Sequence, residues 1–302
     1  TCTFKGTIGP VSVPEGDYRI RVTPAGDPAS VVFDTGDTGI SLASGADLMI
    51  VAVQNTGAGS APVSLVVLDG KGSSEILAAA TPATVRVVHA SPNAPAVDVF
   101  AESTALGASS PLKIVDNFQY TDIRVVGDVP PANDYSLVVS PTGTGVAGGV
   151  FTASPVELKA GVEYSVLAVG RVGLDPAFTL LPVVDENRAI STEARVKVIH
   201  GAPAAGDVDV YVTPAGTVSD SEILNGQATP LLTGFTYPTV TPYVALTPGN
   251  YDIRVVAQSG TLLAINQLNV ALQAGVVASA IAVGPDELDS DPAGFGLLLL
   301  TN

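Results

Sequence analysis

The sequence predicts an all-β chain built from tandem β-sandwiches, on three observations. One segment is written twice: Val85-Arg-Val-Val-His-Ala-Ser-Pro-Asn-Ala-Pro-Ala-Val-Asp-Val-Phe100 returns 111 residues later as Val196-Lys-Val-Ile-His-Gly-Ala-Pro-Ala-Ala-Gly-Asp-Val-Asp-Val-Tyr211, with eight of sixteen positions identical and no gap. Self-similarity of this kind marks a copied structural unit. Gly (31 residues) and Pro (23) are abundant, while only 14% of the chain is charged and 5% aromatic. Val and Thr suit a pleated surface, and Gly and Pro supply its turns. Finally, runs of about four to eight apolar or β-branched residues are punctuated by Gly, Pro, Asn or Asp every 8–12 residues or so, the spacing of a sandwich or barrel.

The repeat extends well past its opening strand. The aromatic pair Phe118-Gln-Tyr120 is matched by Phe235-Thr-Tyr237. A turn then leads into a strand carrying a tyrosine near its start: Val129-Pro-Pro-Ala-Asn-Asp-Tyr135, Leu246-Thr-Pro-Gly-Asn-Tyr251 and Val13-Pro-Glu-Gly-Asp-Tyr18. Next come Leu158–Gly170, Leu272–Gly284 and Leu42–Val53, each with Gly at its fourth position and an apolar run after it. The strands Ala61–Leu68, Phe178–Val184 and Phe295–Leu300 close the units. Three units follow: 1–80, 83–190 and 194–302.

The first unit lacks the Val-x-Val-x-His opening and the strand after it. A sandwich without its first strands exposes an open edge and an uncovered core. We expect residues upstream of Thr1 to supply them, in preference to another chain, because the second and third units show no spare strand. The linkers 78–83 and 185–194 are short, which favours a rod of sandwiches over freely tumbling beads.

Net charge is −16 with a pI near 4.2, which opposes binding to nucleic acid or to anionic lipid. Cys2 is the single cysteine, so no intrachain disulfide forms. It reads as an incidental strand residue rather than a lipid attachment point or an intermolecular thiol. No apolar run approaches the ~18 residues of a membrane helix. The chain reads as secreted, extracellular or at the cell surface, with its export signal removed.

Residues 85–100, together with Phe118-Gln-Tyr120 and Pro131-Ala-Asn-Asp-Tyr135, resemble the DUF4397 family. The resemblance covers the second and third units and part of the first; the third departs from it at Gly201, Ala204 and Gly206-Asp207. It implies an immunoglobulin-like sandwich used outside the cell, usually in tandem, with no established catalytic residues to carry over.

Several residues are of a type that could carry chemistry. His89 and His200 end alternating strands that place Val85, Val87 and His89 on one face, Arg86 and Val88 on the other. No second histidine lies within either unit, so a metal or catalytic role is disfavoured. The expected role is structural: a hydrogen bond to Asp98 or Asp209 across a hairpin, or to backbone. Asp98 and Asp209 sit mid-strand in Val-Asp-Val, where a solvated face or a cap on a neighbouring loop is the default. Tyr18, Tyr135 and Tyr251 suit tyrosine corners, ring in the core and hydroxyl on backbone. The loop Pro285-Asp-Glu-Leu-Asp-Ser-Asp-Pro292 makes Asp286, Glu287, Asp289 and Asp291 weak candidates for Ca2+, without the spacing of an EF-hand. No nucleophile elbow, phosphate loop, dinucleotide fingerprint or Cys/His metal spacing occurs.

No enzyme and no cofactor are expected. The reading is a structural or adhesive surface protein, able to build filaments by strand addition to its open first unit and to associate with itself or with other surface proteins. The alternative is a module that binds surface glycans or Ca2+.

Overall fold

The computed structural model describes residues 3, 5–37, 39–57, 59–257, 260, 262–287 and 294–301. The fold is all-β. In the first stretch run β1 (Gly16–Tyr18), β2 (Arg21–Val22), β3 (Phe33–Asp34), β4 (Ile40–Leu42), β5 (Met49–Gln54), β6 (Val63–Leu68) and β7 (Ser73–Ile76). The second holds β8 (Ala83–His89), β9 (Val97–Glu102), β10 (Leu112–Phe118), β11 (Ile123–Val129), β12 (Ala132–Pro141), β13 (Phe151–Leu158), β14 (Glu163–Val169) and β15 (Thr179–Asp185). The third holds β16 (Ala194–His200), β17 (Val208–Pro214), helix α1 (Asp220–Leu224), β18 (Leu232–Phe235), β19 (Val244–Leu246), β20 (Gly249–Ala257), β21 (Leu263–Leu272), β22 (Val277–Val283) and β23 (Gly296–Thr301).

The second and third stretches each form two four-stranded sheets in the same order. One pair of sheets is β11-β8-β14-β15 and β10-β9-β12-β13; the other is β19-β16-β22-β23 and β18-β17-β20-β21. β8 runs parallel to β14 and β16 parallel to β22, while the other pairs within these sheets are antiparallel. Alternation does the packing: Val85 and Val87 point from β8 into a core shared with Val99, Phe118, Tyr135 and Val166. Gly170 ends β14 with φ +81°, and a Cβ there would lie 2.1 Å from the Ala177 carbonyl. Only glycine fits that turn.

The first stretch is about half of such a sandwich. The tyrosine strand (β1, β2), its partner (β3, β4), β5 and β6 correspond to β12, β13, β14 and β15. Among the described residues no strand stands where β8, β9 and β10 stand in the second stretch. Its buried apolar cluster is small, Phe33, Leu65 and Ala78. Arg19 and Arg21 both pair with Asp34, at 2.7 and 2.9 Å, tying the tyrosine strand to its neighbour. Two elements were not anticipated. β7 adds a strand beyond β6, and α1 is a five-residue helix closed by a capping box from Ser219 and Glu222, with Ile223 packed on Tyr211 and Val256.

The expected rod is corrected for the second and third stretches. They lie sheet against sheet, because the outer face of each inner sheet carries apolar side chains, Val88, Leu167 and Val169 on one and Ile199, Ile281 and Val283 on the other, that fill the contact while the inner face fills each sandwich.

Candidate functional site

The two histidines are enclosed by the repeated aromatic pair. His89 lies 5.4 Å from Phe118 and 6.4 Å, edge-on, from Tyr120; His200 lies 6.0 Å from Phe235 and 5.7 Å, edge-on, from Tyr237 (ring centroids). His200 Nε2 is 2.8 Å from the Gly206 carbonyl. Neither His89 nitrogen has a hydrogen-bond partner of normal geometry, although the Pro95 carbonyl occupies the matching place. Burial pulls both histidines below their ordinary pKa, partly offset by these carbonyls and by Asp122 and Asp207. Both are therefore neutral, enclosed rings with no exposed nitrogen to offer a substrate.

The proposed histidine–aspartate pairs are not formed. Asp98 faces away from the core and is fully buried under the adjoining loops, accepting from Lys113 Nζ (2.9 Å), Asn117 N (3.0 Å) and Gly143 N (3.2 Å). Burial alone would push Asp98 up; Lys113 and the two N–H donors outweigh it and hold the carboxyl at about 2. Asp209 accepts from Gly234 N at 2.8 Å in the corresponding loop of the third stretch. Period-two alternation explains the separation: His89 and Asp98 lie on opposite faces of their sheets. The three tyrosines each bond a carbonyl four or five residues upstream, Tyr18 to Pro14 (2.8 Å), Tyr135 to Pro130 (2.8 Å) and Tyr251 to Thr247 (2.7 Å).

Of the acidic loop, Asp289 and Asp291 lie outside the described residues. Glu287 is exposed, and Asp286 Oδ1 is a buried atom without a partner, while the Asp286 carbonyl accepts from Arg171 at 3.0 Å. Among the described residues no three His, Cys, Asp or Glu side chains converge on a metal position. The voids inside the two sandwiches are lined by apolar side chains such as Val85, Val99, Phe118, Tyr135 and Val166 in one and Val196, Val210, Phe235 and Val255 in the other.

Two larger features carry more. The contact between the sandwiches is a pseudo-two-fold pairing of the repeat with itself. Its core joins Val88, Leu167, Val169 and Val183 to their repeat counterparts Ile199, Ile281, Val283 and Leu300. Tyr120 donates to the Gly284 carbonyl at 2.5 Å, and the Tyr237 hydroxyl faces the equivalent Gly170 carbonyl without closing a bond of normal geometry. Burial pushes both phenols up to about 12. Arg86 reaches the Thr301 carbonyl at 3.3 Å, and its counterpart Lys197 reaches the Val184 carbonyl at 2.7 Å. Buried Asp185 bridges the halves, 3.3 Å from Arg86 and 3.0 Å from Lys197. At the centre a Cβ on Gly201 would sit 3.5 Å from the Ala90 methyl, so the equivalent positions 90 and 201 approach each other.

The second feature is the edge of β5. In the complete sandwiches the strand equivalent to β5 is flanked on this side by a parallel opening strand, β8 or β16. Beside β5 no described strand takes that place, and the sheet order is β5-β6-β7. Met49, Ile50 and Val51 are 60%, 40% and 38% exposed on a strand, Met-Ile-Val-Ala-Val-Gln, that carries no charge. Uncharged apolar edges of this kind template the addition of another strand.

Residues 83–211 match the family described as a domain of unknown function, DUF4397. The match spans the second stretch and the opening of the third. The segment begins with β8 and ends within β17, so it includes the first histidine motif and its repeat. No curated protein matches the chain. Among solved structures, a family CBM26 carbohydrate-binding module from Eubacterium rectale, in complex with maltoheptaose, is 12% identical, covering 72% of this chain and 97% of its own, with a TM-score of 0.20. A candidate cell adhesion protein of Bacteroides ovatus is 11% identical over 74% of this chain and 96% of its own, with a TM-score of 0.21. A similar one from Bacteroides fragilis is 8% identical over 73% and 97%, at 0.17. Overlaps this low carry no argument about this chain. Among the described residues no helix is long and apolar enough to cross a membrane.

Proposed function

We propose that this protein is a non-enzymatic structural and adhesive subunit of the cell exterior, which assembles by strand addition at the open edge of its first unit. The observation that carries this reading is the β5 edge: an uncharged, exposed apolar strand beside a place that the chain's own repeats fill with a strand. A contact of this sort joins unlike surfaces, so it propagates head to tail instead of closing. The paired second and third sandwiches would serve as the rigid body of each subunit. The chemistry-bearing residues fit such a role, since the histidines, Asp98 and the tyrosines are spent on holding turns.

Electron microscopy of protein at the surface of producing cells tests the reading. Ordered fibres with an axial repeat of one three-unit subunit are expected; dispersed monomers alone would overturn it. A ligand-binding reading has one observation in its favour, the partnerless Asp286 Oδ1 in the acidic loop. Calorimetric titration with Ca2+ and with a glycan panel, repeated on Asp286→Ala, separates the two.

A further inference from the structure

We infer that the first unit pairs, outer face to outer face, with the first unit of a second copy of this chain about a two-fold axis. The inference uses the face of the β5-β6 sheet, not its edge, and goes beyond the strand-addition reading. It is carried by the contact between the second and third sandwiches, in which one repeated face packs on its own counterpart.

Strand register identifies the same face in all three units. β14 on β15 sets Leu167 beside Leu181 and Ser165 beside Val183; β22 on β23 sets Ile281 beside Leu298 and Ser279 beside Leu300. β5 on β6 sets Val51 beside Val66 and Met49 beside Leu68. Alternation sends these side chains to one side of the first unit's sheet, opposite buried Leu65 and Val67. In the second and third units this face is covered, and Leu167, Val183, Ile281 and Leu300 are buried in the contact. In the first unit Met49, Val51 and Leu68 stay exposed at 60%, 38% and 37%.

The matching faces of the second and third units occupy each other. The surface that repeats their arrangement is therefore the first unit of another copy. Charge agrees: Met49, Val51, Val53, Val66 and Leu68 are all uncharged, so two chains of net charge −16 meet here without like-charge repulsion. Glu75 of β7, beside Val66, lies at the rim, where its carboxylate accepts from Ser64 Oγ. Bulk is traded between neighbouring positions. Met49 stands where the paired sandwiches have Ser165 and Ser279, and Val51 where they have Leu167 and Ile281. Val88 and Ile199 reach the template contact from opening strands, which have no described counterpart beside β5. The pairing is thus smaller than its template, and a reversible, concentration-dependent dimer is expected.

A two-fold contact brings a central residue close to its own copy, whereas head-to-tail strand addition joins unlike residues. Single-cysteine cross-linking of the full chain separates them. In a Cys2→Ser background, Val51→Cys is treated with a bismaleimide spanning about 10 Å, the separation of packed sheets. A covalent dimer is expected, in about ten-fold higher yield than from Val125→Cys, an exposed position on β11 of the second unit. Sedimentation velocity over a concentration series should show the parent chain passing from monomer to dimer. Met49→Asp and, separately, Leu68→Asp should weaken that dimer by about ten-fold or more, because each buries a charge in the contact. Circular dichroism should stay that of the parent, since both positions are exposed. Cross-linking of Val51→Cys no better than of Val125→Cys would overturn the inference, even if an aspartate variant fails to fold. A dimer indifferent to both aspartates would overturn it too, and either result leaves strand addition standing. A dimer that survives where fibres are absent would overturn strand addition alone.

Discussion

At the level of single residues, the repeated motifs hold turns and cages. The histidine strand and the Phe-x-Tyr pair are each visible twice in the sequence, but their partnership is not, because about thirty residues separate His89 from Phe118 and only the sandwich closes that distance. The alternative partner, aspartate nine positions on, failed because alternation puts it on the other face of the next strand. Neutral, buried histidines have a pH consequence. Their pKa values in the folded chain lie below the ordinary value near 6.5, so the unfolded chain binds more protons in the window beneath it. Stability is therefore complete above that value and is lost as pH falls through it, by at most about 1.4 kcal/mol per pH unit for each histidine. Urea unfolding between pH 7 and 5 should show this slope, and His89→Gln with His200→Gln should flatten it. Asp98, held at about 2, adds a separate loss only at lower pH, as pH falls from about 4 to about 2.

Strands and sheets show a different balance between what the sequence reveals and what it hides. Alternation in β8 and β16 and the tyrosine turns were legible, since period-two patterning and turn residues are local signals. α1 was not, because five residues show no helical period; its Ser219-x-x-Glu222 cap was the available signal. The sandwich-to-sandwich contact was also missed, although the clue was present: Val166–Val169 and Ala280–Val283 are apolar without interruption, as in strands buried on both faces. Leu167 and Ile281 occupy equivalent places in that contact and are fully buried. Leu167→Ala or Ile281→Ala should each cost about 2–5 kcal/mol in chemical unfolding, as for large-to-small changes in a core. Surface-loop values below about 0.5 kcal/mol would show that the two sandwiches do not depend on each other.

Across the whole molecule, two modes of completion stand side by side. The second and third units complete each other's outer faces through like-with-like pairing of a repeated sheet. The first unit has the closing strands of a sandwich and, among the described residues, no strand beside the outer edge of β5. The sequence exposed that gap through a missing third copy of the histidine motif, and it understated its size, since counterparts of β8, β9 and β10 are all absent among the described residues. What could not be read from pattern alone was that residues 5–13 lie exposed and outside every strand, which follows from tertiary placement. Hydrogen exchange of the β5 amides tests the central claim most directly. In dilute monomer, the amides of Met49–Gln54 that face the open edge should exchange quickly, while those of β14 and β22 stay protected. On assembly, β5 protection should rise about ten-fold or more, with β14 and β22 unchanged. Protection of β5 equal to that of β14 in the monomer, or no change on assembly, would contradict the account.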